Sequence, residues 1–195
     1  YRVAFLTNPR LDDIEMLRII VYLLGASEVP TRKADLLMAL GQIFDANMRD
    51  GKKTVIVVDE AHAIEQASIF EEIRLLLNFQ LHSQFLLTHL ILGQPELKNK
   101  VEANKQLNQR IAMRYHLQGL TMDETAHYVH HRLLIAGTKA PLFDEESLVL
   151  IHERSGGIPR RINQICDISL LNGMTHQSQI VNADMVREAI TSLEG

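Results

Sequence analysis

The sequence predicts an α/β protein in two parts: a three-layer parallel sheet through about residue 118, then a small all-helical unit. Three observations carry this reading. Short β-branched apolar runs alternate with longer stretches of helical periodicity in the first part. From Thr121 onward only helical patterns remain. Gly, Pro and Asp-Gly turn signals separate the segments, and no repeat or low-complexity tract interrupts them. The expected boundary is a short hinge at Gly119-Leu120, giving units 1–118 and 119–195.

Arg2–Leu6 is short and apolar and closes on Thr7-Asn8-Pro9, so it reads as a buried strand entering a turn. Asp12 and Asp13 precede a stripe of Ile14, Leu17, Ile20, Val21 and Leu24 that stops at Gly25, which predicts a helix. A second helix follows Pro30-Thr31 with Leu36, Leu37, Leu40, Ile43 and Phe44 inward, and ends near Arg49-Asp50-Gly51. Thr54–Val58 is continuous and β-branched, the pattern of a strand covered on both faces. A helix is expected from about Gln66 to Leu81, and a strand from Phe85 or Leu86 to Leu92, ended by Gly93-Gln94-Pro95. Met113–Leu117 reads as a last strand. In the tail, Thr121 to Glu124 forms a capping box and Asp144 with Ser147 opens the next helix. Gly156-Gly157 stops that helix, Pro159 suits the first turn of a third, and Asp184 lies near the start of a fourth.

Composition narrows the function classes. The chain has 195 residues, 46% apolar and 23% charged, which excludes a disordered or collagen-like protein. Twenty Lys and Arg against 24 Asp and Glu leave a net charge of −4, the wrong sign for a strongly basic nucleic-acid module. Tyr 4, Phe 6 and Trp 0 are too few for a base-stacking platform. The single Cys166 permits no internal disulfide or multi-cysteine zinc site, which suits a reducing compartment. No apolar run approaches the ~18 residues of a membrane span.

The sharpest chemical signal is Val55-Ile56-Val57-Val58-Asp59-Glu60-Ala61-His62. A buried strand ending in two adjacent carboxylates places them at the carboxyl edge of a parallel sheet, where such folds bind ligands. The first carboxylate can hold Mg²⁺ and the second can orient and deprotonate a water for attack on a phosphate. This is the Walker B pattern; the plainer alternative is a solvated acidic turn.

With these residues the chain resembles the AAA+ ATPases, and more narrowly the general secretion pathway protein A (ExeA-like) family, which is close to transposition helper ATPases. The matching segments are Phe5–Pro9, Val57–His62, Leu92–Leu97, Asn108–Ile111 and Ser155–Asn163, spread over nearly the whole chain. The resemblance implies a P-loop NTPase-type fold with a helical lid, and assigns roles residue by residue. Asp59 would be the magnesium ligand and Glu60 the catalytic base. Gln94 would be sensor 1, which positions the attacking water. Arg110 would be the arginine finger offered to a neighbouring subunit's γ-phosphate, with Arg114 a weaker candidate. Arg160 would be sensor 2 on the lid, with Arg161 as neighbour or partial substitute. The cofactors implied for the parent are ATP and Mg²⁺.

A P-loop, G-x-x-x-x-G-K-[ST], is missing from the sequence. Gly51-Lys52-Lys53-Thr54 fails the pattern: Ala46 stands five before Gly51, Lys53 follows Lys52, and the run precedes a strand. The start at Tyr1, without Met, reads as a piece of something longer. Family topology orders the strands 5-1-4-3-2, and the segments here match strands 2, 3, 4 and 5, so the absent strand is the central one. Its loss is expected to leave strand edges and apolar faces uncovered. One of three outcomes is expected: strand 5 moves in to pair, another chain fills the gap, or the core rearranges. The chain alone is expected not to hydrolyse ATP.

The resemblance implies a parent that works as an oligomer, using ATP to help assemble a secretion or pilus-type envelope apparatus. Its ATPase module would be cytoplasmic, as part of an inner-membrane protein, with secretion or pilus assembly proteins as partners. One alternative is an ATP-dependent DNA-transposition helper, which the net charge of −4 and the lack of a basic run disfavour. Another is a non-catalytic scaffold, against which Glu60 and Arg160 stand. His127, His130 and His131 share a helix at spacings that can gather imidazoles for a metal, though a polar helix face explains them better. Cys166 reads as core.

Overall fold

A computed structural model describes residues 1–81, 84–138 and 140–194. The chain divides into two compact units, Tyr1–Arg114 and Tyr115–Gly195.

The first unit is built on three parallel strands, β1 (Arg2–Leu6), β2 (Thr54–Val58) and β5 (Leu87–Ile91), in the order β1-β2-β5. Ala4, Ile56 and His89 are paired across the sheet, as are Phe5, Val57 and Leu90. Because side chains alternate, this register sorts the sheet into two faces. Ala4, Leu6, Ile56, Val58 and Leu87 lie on one face and are buried. They form a single core with Met16, Leu17, Ile20 and Val21 of α1 (Asp13–Leu23), Leu36, Leu40 and Phe44 of α2 (Lys33–Arg49), and Ile69, Phe70, Ile73 and Leu76 of α3 (Ala67–Leu76). On the other face Val57 is buried under its neighbours while Val3, Phe5 and Leu90 are about half exposed. The uncovered apolar face expected from the sequence is therefore present.

Local chemistry sets the helix starts. Asp12 accepts from Glu15 N–H while Glu15 Oε2 accepts from Asp12 N–H, closing a capping box on α1. Lys33 on α2 donates to Asp13 of α1 at 2.7 Å and to the buried Glu72 of α3 at 2.6 Å, tying three helices together. That ammonium holds the Asp13 carboxyl below the usual carboxylate range. Gly51 sits at φ 68 in the turn that leads from α2 toward β2, so the Gly51-Lys52-Lys53-Thr54 run is a turn entering a strand.

Two expectations need correction. The helix expected to reach Leu81 stops at Leu76. Phe79 leaves it to pack edge-on against Phe44 at 5.2 Å, and β3 (Gln80–Leu81) pairs antiparallel with β4 (Gln84–Phe85). Met113–Leu117 is not a strand: Met113, Tyr115 and Leu117 are each 84% exposed in an irregular segment. A strand is stable only where its backbone groups find a ladder partner, and this segment pairs with no strand among the described residues. Of the three expected outcomes, strand 5 moving in to pair does not occur among the described residues. Past β5 the structure adds α4 (Glu96–Ala103) and α5 (Lys105–Asn108), which the sequence patterns did not announce.

The second unit consists of α6 (Met122–Ile135), α7 (Glu145–Ser155), α8 (Pro159–Thr175) and α9 (Ala183–Glu194). Val129, Ile151, Ile162, Ile165, Val186 and Ile190 form its core. Thr121 and Glu124 close the expected capping box, and Asp144 accepts from Ser147 N–H. Cys166 is buried here, which pushes its thiol up to about 12. No described helix is long and apolar enough to cross a membrane.

Candidate functional site

At the carboxyl edge of the sheet the ladder runs on past the strands. Asp59 N–H donates to Leu6 O at 2.8 Å, Leu92 N–H to Val58 O at 2.9 Å, and Ala61 N–H to Leu92 O at 2.8 Å. The two carboxylates that follow β2 are thereby pinned to the strand ends on either side. Asp59 is half-buried, and its Oδ1 accepts the Glu60 N–H at 2.8 Å. Glu60 takes a left-handed backbone, φ 51 and ψ 29, rare for a residue with a side chain. The chain then turns at once into a single 3-10 turn, Ala61–Ala63. This reversal leaves the Glu60 side chain 56% exposed at the rim.

Gln94 stands just past the end of β5. Its carbonyl accepts from Leu97 N–H at 2.9 Å, starting the turn into α4, and its own N–H points at His62 Nδ1, 3.3 Å away. A Cβ on Gly93 would lie 3.0 Å from His62 N, tighter than ordinary contact, so glycine suits the close approach of the two loops. The fold thus brings Asp59, Glu60 and Gln94 together at one sheet edge. His62, part of the conspicuous sequence run but given no role there, joins them: its Nδ1 is 3.4 Å from Glu60 Oε2. The signal that could have found it is its position two residues after Glu60, where the turn doubles the chain back.

The four arginines fall in two places along the chain. Arg110 is exposed just after α5, its N–H bonded to Leu107 O at 2.9 Å. Arg114 is also exposed, but its guanidinium donates to the carbonyl and side chain of Asn108. Arg160 and Arg161 belong to the second unit, in the exposed first turn of α8. That turn is set by Gly156 and Gly157, at φ 61 and 70, with Pro159 opening the helix.

The donor set suits one half of phosphate chemistry. Mg²⁺ keeps most of its waters and asks for one or two protein carboxylates plus substrate oxygens, so a single carboxylate placed as Asp59 is would be enough to hold it. No group of three His, Cys, Asp or Glu side chains gathers among the described residues, His127, His130 and His131 included. His127 Nδ1 instead lies 2.7 Å from Asp123 O on its own helix. The other half, a glycine-rich phosphate cradle, is not encoded in these 195 residues.

The AAA domain family matches residues 2–101. General secretion pathway protein A of Aeromonas hydrophila is 36% identical over 190 residues, covering 94% of this chain and 34% of that protein. The chain therefore spans about a third of that relative's length. Among solved structures, the ORC2 protein of Aeropyrum pernix superimposes with a TM-score of 0.70 at 18% identity, over 98% of this chain and 52% of its own. Cdc6p of Pyrobaculum aerophilum gives 0.68 at 16%, over 96% and 52%. A mutant of Thermotoga maritima RuvB gives 0.59 at 17%, over 98% and 61%. At such identities the likeness is one of fold, and it extends over both units. With a family match across the sheet and its acidic edge, the chain belongs to the AAA domain family.

Proposed function

We propose that this chain carries the water-activating and sensing parts of an ATPase that drives assembly of a secretion or pilus-type envelope apparatus. The observation that carries the reading is the meeting of Asp59 and Glu60 with Gln94 at one sheet edge, in a chain 36% identical to a general secretion pathway protein A. Asp59 would hold Mg²⁺, which when bound neutralises phosphate charge. Glu60, exposed and freed from the strand by its left-handed backbone, would orient the attacking water and take its proton. Gln94 would hold that water from the other side. Arg110 is the better arginine finger for a neighbouring subunit, because Arg114 is engaged by Asn108. Arg160, with Arg161 beside it, would supply the lid's contact to the phosphates. The phosphate cradle would come from residues outside this chain, in a protein whose ATPase module faces the cytoplasm from an inner-membrane anchor.

ATP turnover in the longer protein tests this. Glu60→Gln should lower kcat by at least about a hundredfold and leave ATP binding intact. The 195-residue chain alone should show no turnover. Unchanged kcat in Glu60→Gln, or hydrolysis by the short chain that Glu60→Gln abolishes, would overturn the reading.

A further inference from the structure

We propose that His62 is a positioning residue that couples the Glu60 carboxylate to the backbone of Gln94, so that proposed base and proposed water-holding loop respond together. The inference rests on the ATPase reading above. Neither holding a metal nor activating a water requires a histidine at this place, yet the structure fixes one there from several sides.

The carbonyl of His62 accepts from Lys100 Nζ at 2.5 Å, and the same ammonium reaches Ile64 O at 2.6 Å. Its backbone abuts Gly93. Its side chain is only 20% exposed against 56% for Glu60, so the ring is the enclosed partner and the carboxylate the exposed one.

Both neighbours compete for one atom. Nδ1 lies 3.3 Å from the Gln94 nitrogen and 3.4 Å from Glu60 Oε2. As the neutral tautomer with its proton on Nε2, the ring accepts the Gln94 N–H at Nδ1. Glu60 then faces a lone pair and is turned toward water. With a proton on Nδ1, the ring donates to Glu60 instead, and the Gln94 N–H loses its acceptor. The two arrangements exclude each other. In the second arrangement one Glu60 lone pair is committed to the ring and the Gln94 loop is released, so the site is less well ordered for a water held between them.

The test uses two readouts. In the longer protein, His62→Ala should lower kcat about ten- to a hundredfold with the KM for ATP within about twofold. His62→Asn, whose Oδ1 can replace Nδ1 as acceptor but cannot be protonated, should recover most of that loss. Independently, ¹⁵N NMR of the 195-residue chain should show the Nε2–H tautomer at His62. The Gln94 amide proton should shift upfield in His62→Asn and His62→Ala, further in the alanine variant. Unchanged kcat in His62→Ala, where Glu60→Gln abolishes turnover, would overturn the His62 role and leave the ATPase reading standing. If Glu60→Gln itself turns over normally, the ATPase reading falls, and an unshifted Gln94 amide would remove the coupling as well.

Discussion

His89 shows how much a single side chain can decide. It sits in the middle of β5 beside Ile56, on the packed face of the sheet, and neither ring nitrogen has a partner among the described residues. The residue as a whole is half-buried, but its two nitrogens are shielded from water. Burial disfavours the imidazolium and lowers the ring's pKa from 6.5 to about 4. The sign follows directly. Below pH 6.5 the unfolded chain binds a proton that the folded chain refuses, so stability falls as pH drops from about 6.5 toward 4. By about pH 5 this one group should remove about 2 kcal/mol. Urea unfolding of wild type and His89→Leu at about pH 7 and about pH 5 checks it: the wild type should lose about that much more than the variant. Equal losses would mean that the ring finds a partner or water in solution. The sequence offers His89 as one polar position in an apolar strand, and only the register shows that it faces the core. Glu60 poses the same difficulty: its chemistry is legible from the letters, its left-handed backbone is not, because that depends on Ala61 being drawn to Leu92 O.

Elements defined by local chemistry were the readable ones. The capping boxes at Asp12 and Thr121, the Asp144 cap and the Gly-Gly-x-Pro entry to α8 all stand where side chains and their own backbone suffice. Elements that need a distant partner were not. Met113–Leu117 alternates like a strand but pairs with nothing among the described residues, and β3 takes residues expected to continue a helix. The join before α8 combines both kinds of information. Leu120 N–H donates to Gly157 O at 2.8 Å, and a Cβ on Gly157 would collide with the Leu120 carbonyl oxygen. Two backbone segments are pressed together, and the clash would fall on main chain that cannot rotate away. Gly157→Ala should therefore destabilise the second unit by more than about 2 kcal/mol and displace the turn that carries Arg160 and Arg161. Gly137→Ala, at φ 99 but with open space around it, should cost only about 1 kcal/mol for its backbone. Thermal melts of the two variants should differ accordingly; equal shifts would show that the backbone at Leu120 yields.

At the scale of the whole chain, apolar surface is left in view where a sheet normally hides it. Val3, Phe5 and Leu90 line the second face of the sheet, each about half exposed, and Met113, Tyr115 and Leu117 stand out in the segment after α5. Monomeric proteins seldom leave contiguous apolar faces and open strand edges to water, since both recruit other chains. In a three-layer fold a helical layer on that side would cover Val3, Phe5 and Leu90. Phe5 and Leu90 are paired through Val57, one residue on each outer strand, so charging both alters the exposed face and leaves the Ala4–Ile56–His89 row beneath it alone. In the 195-residue chain, Phe5→Lys with Leu90→Lys should reduce concentration-dependent light scattering and dye binding while the urea midpoint shifts little. In the longer protein the same pair should destabilise strongly, by several kcal/mol, because each lysine would then be buried without a partner. A pair that leaves both the scattering of the short chain and the stability of the longer protein unchanged would mean that this face is ordinary surface. Opposite effects in the two contexts are what a face built to be covered requires, and no local substitution effect produces them.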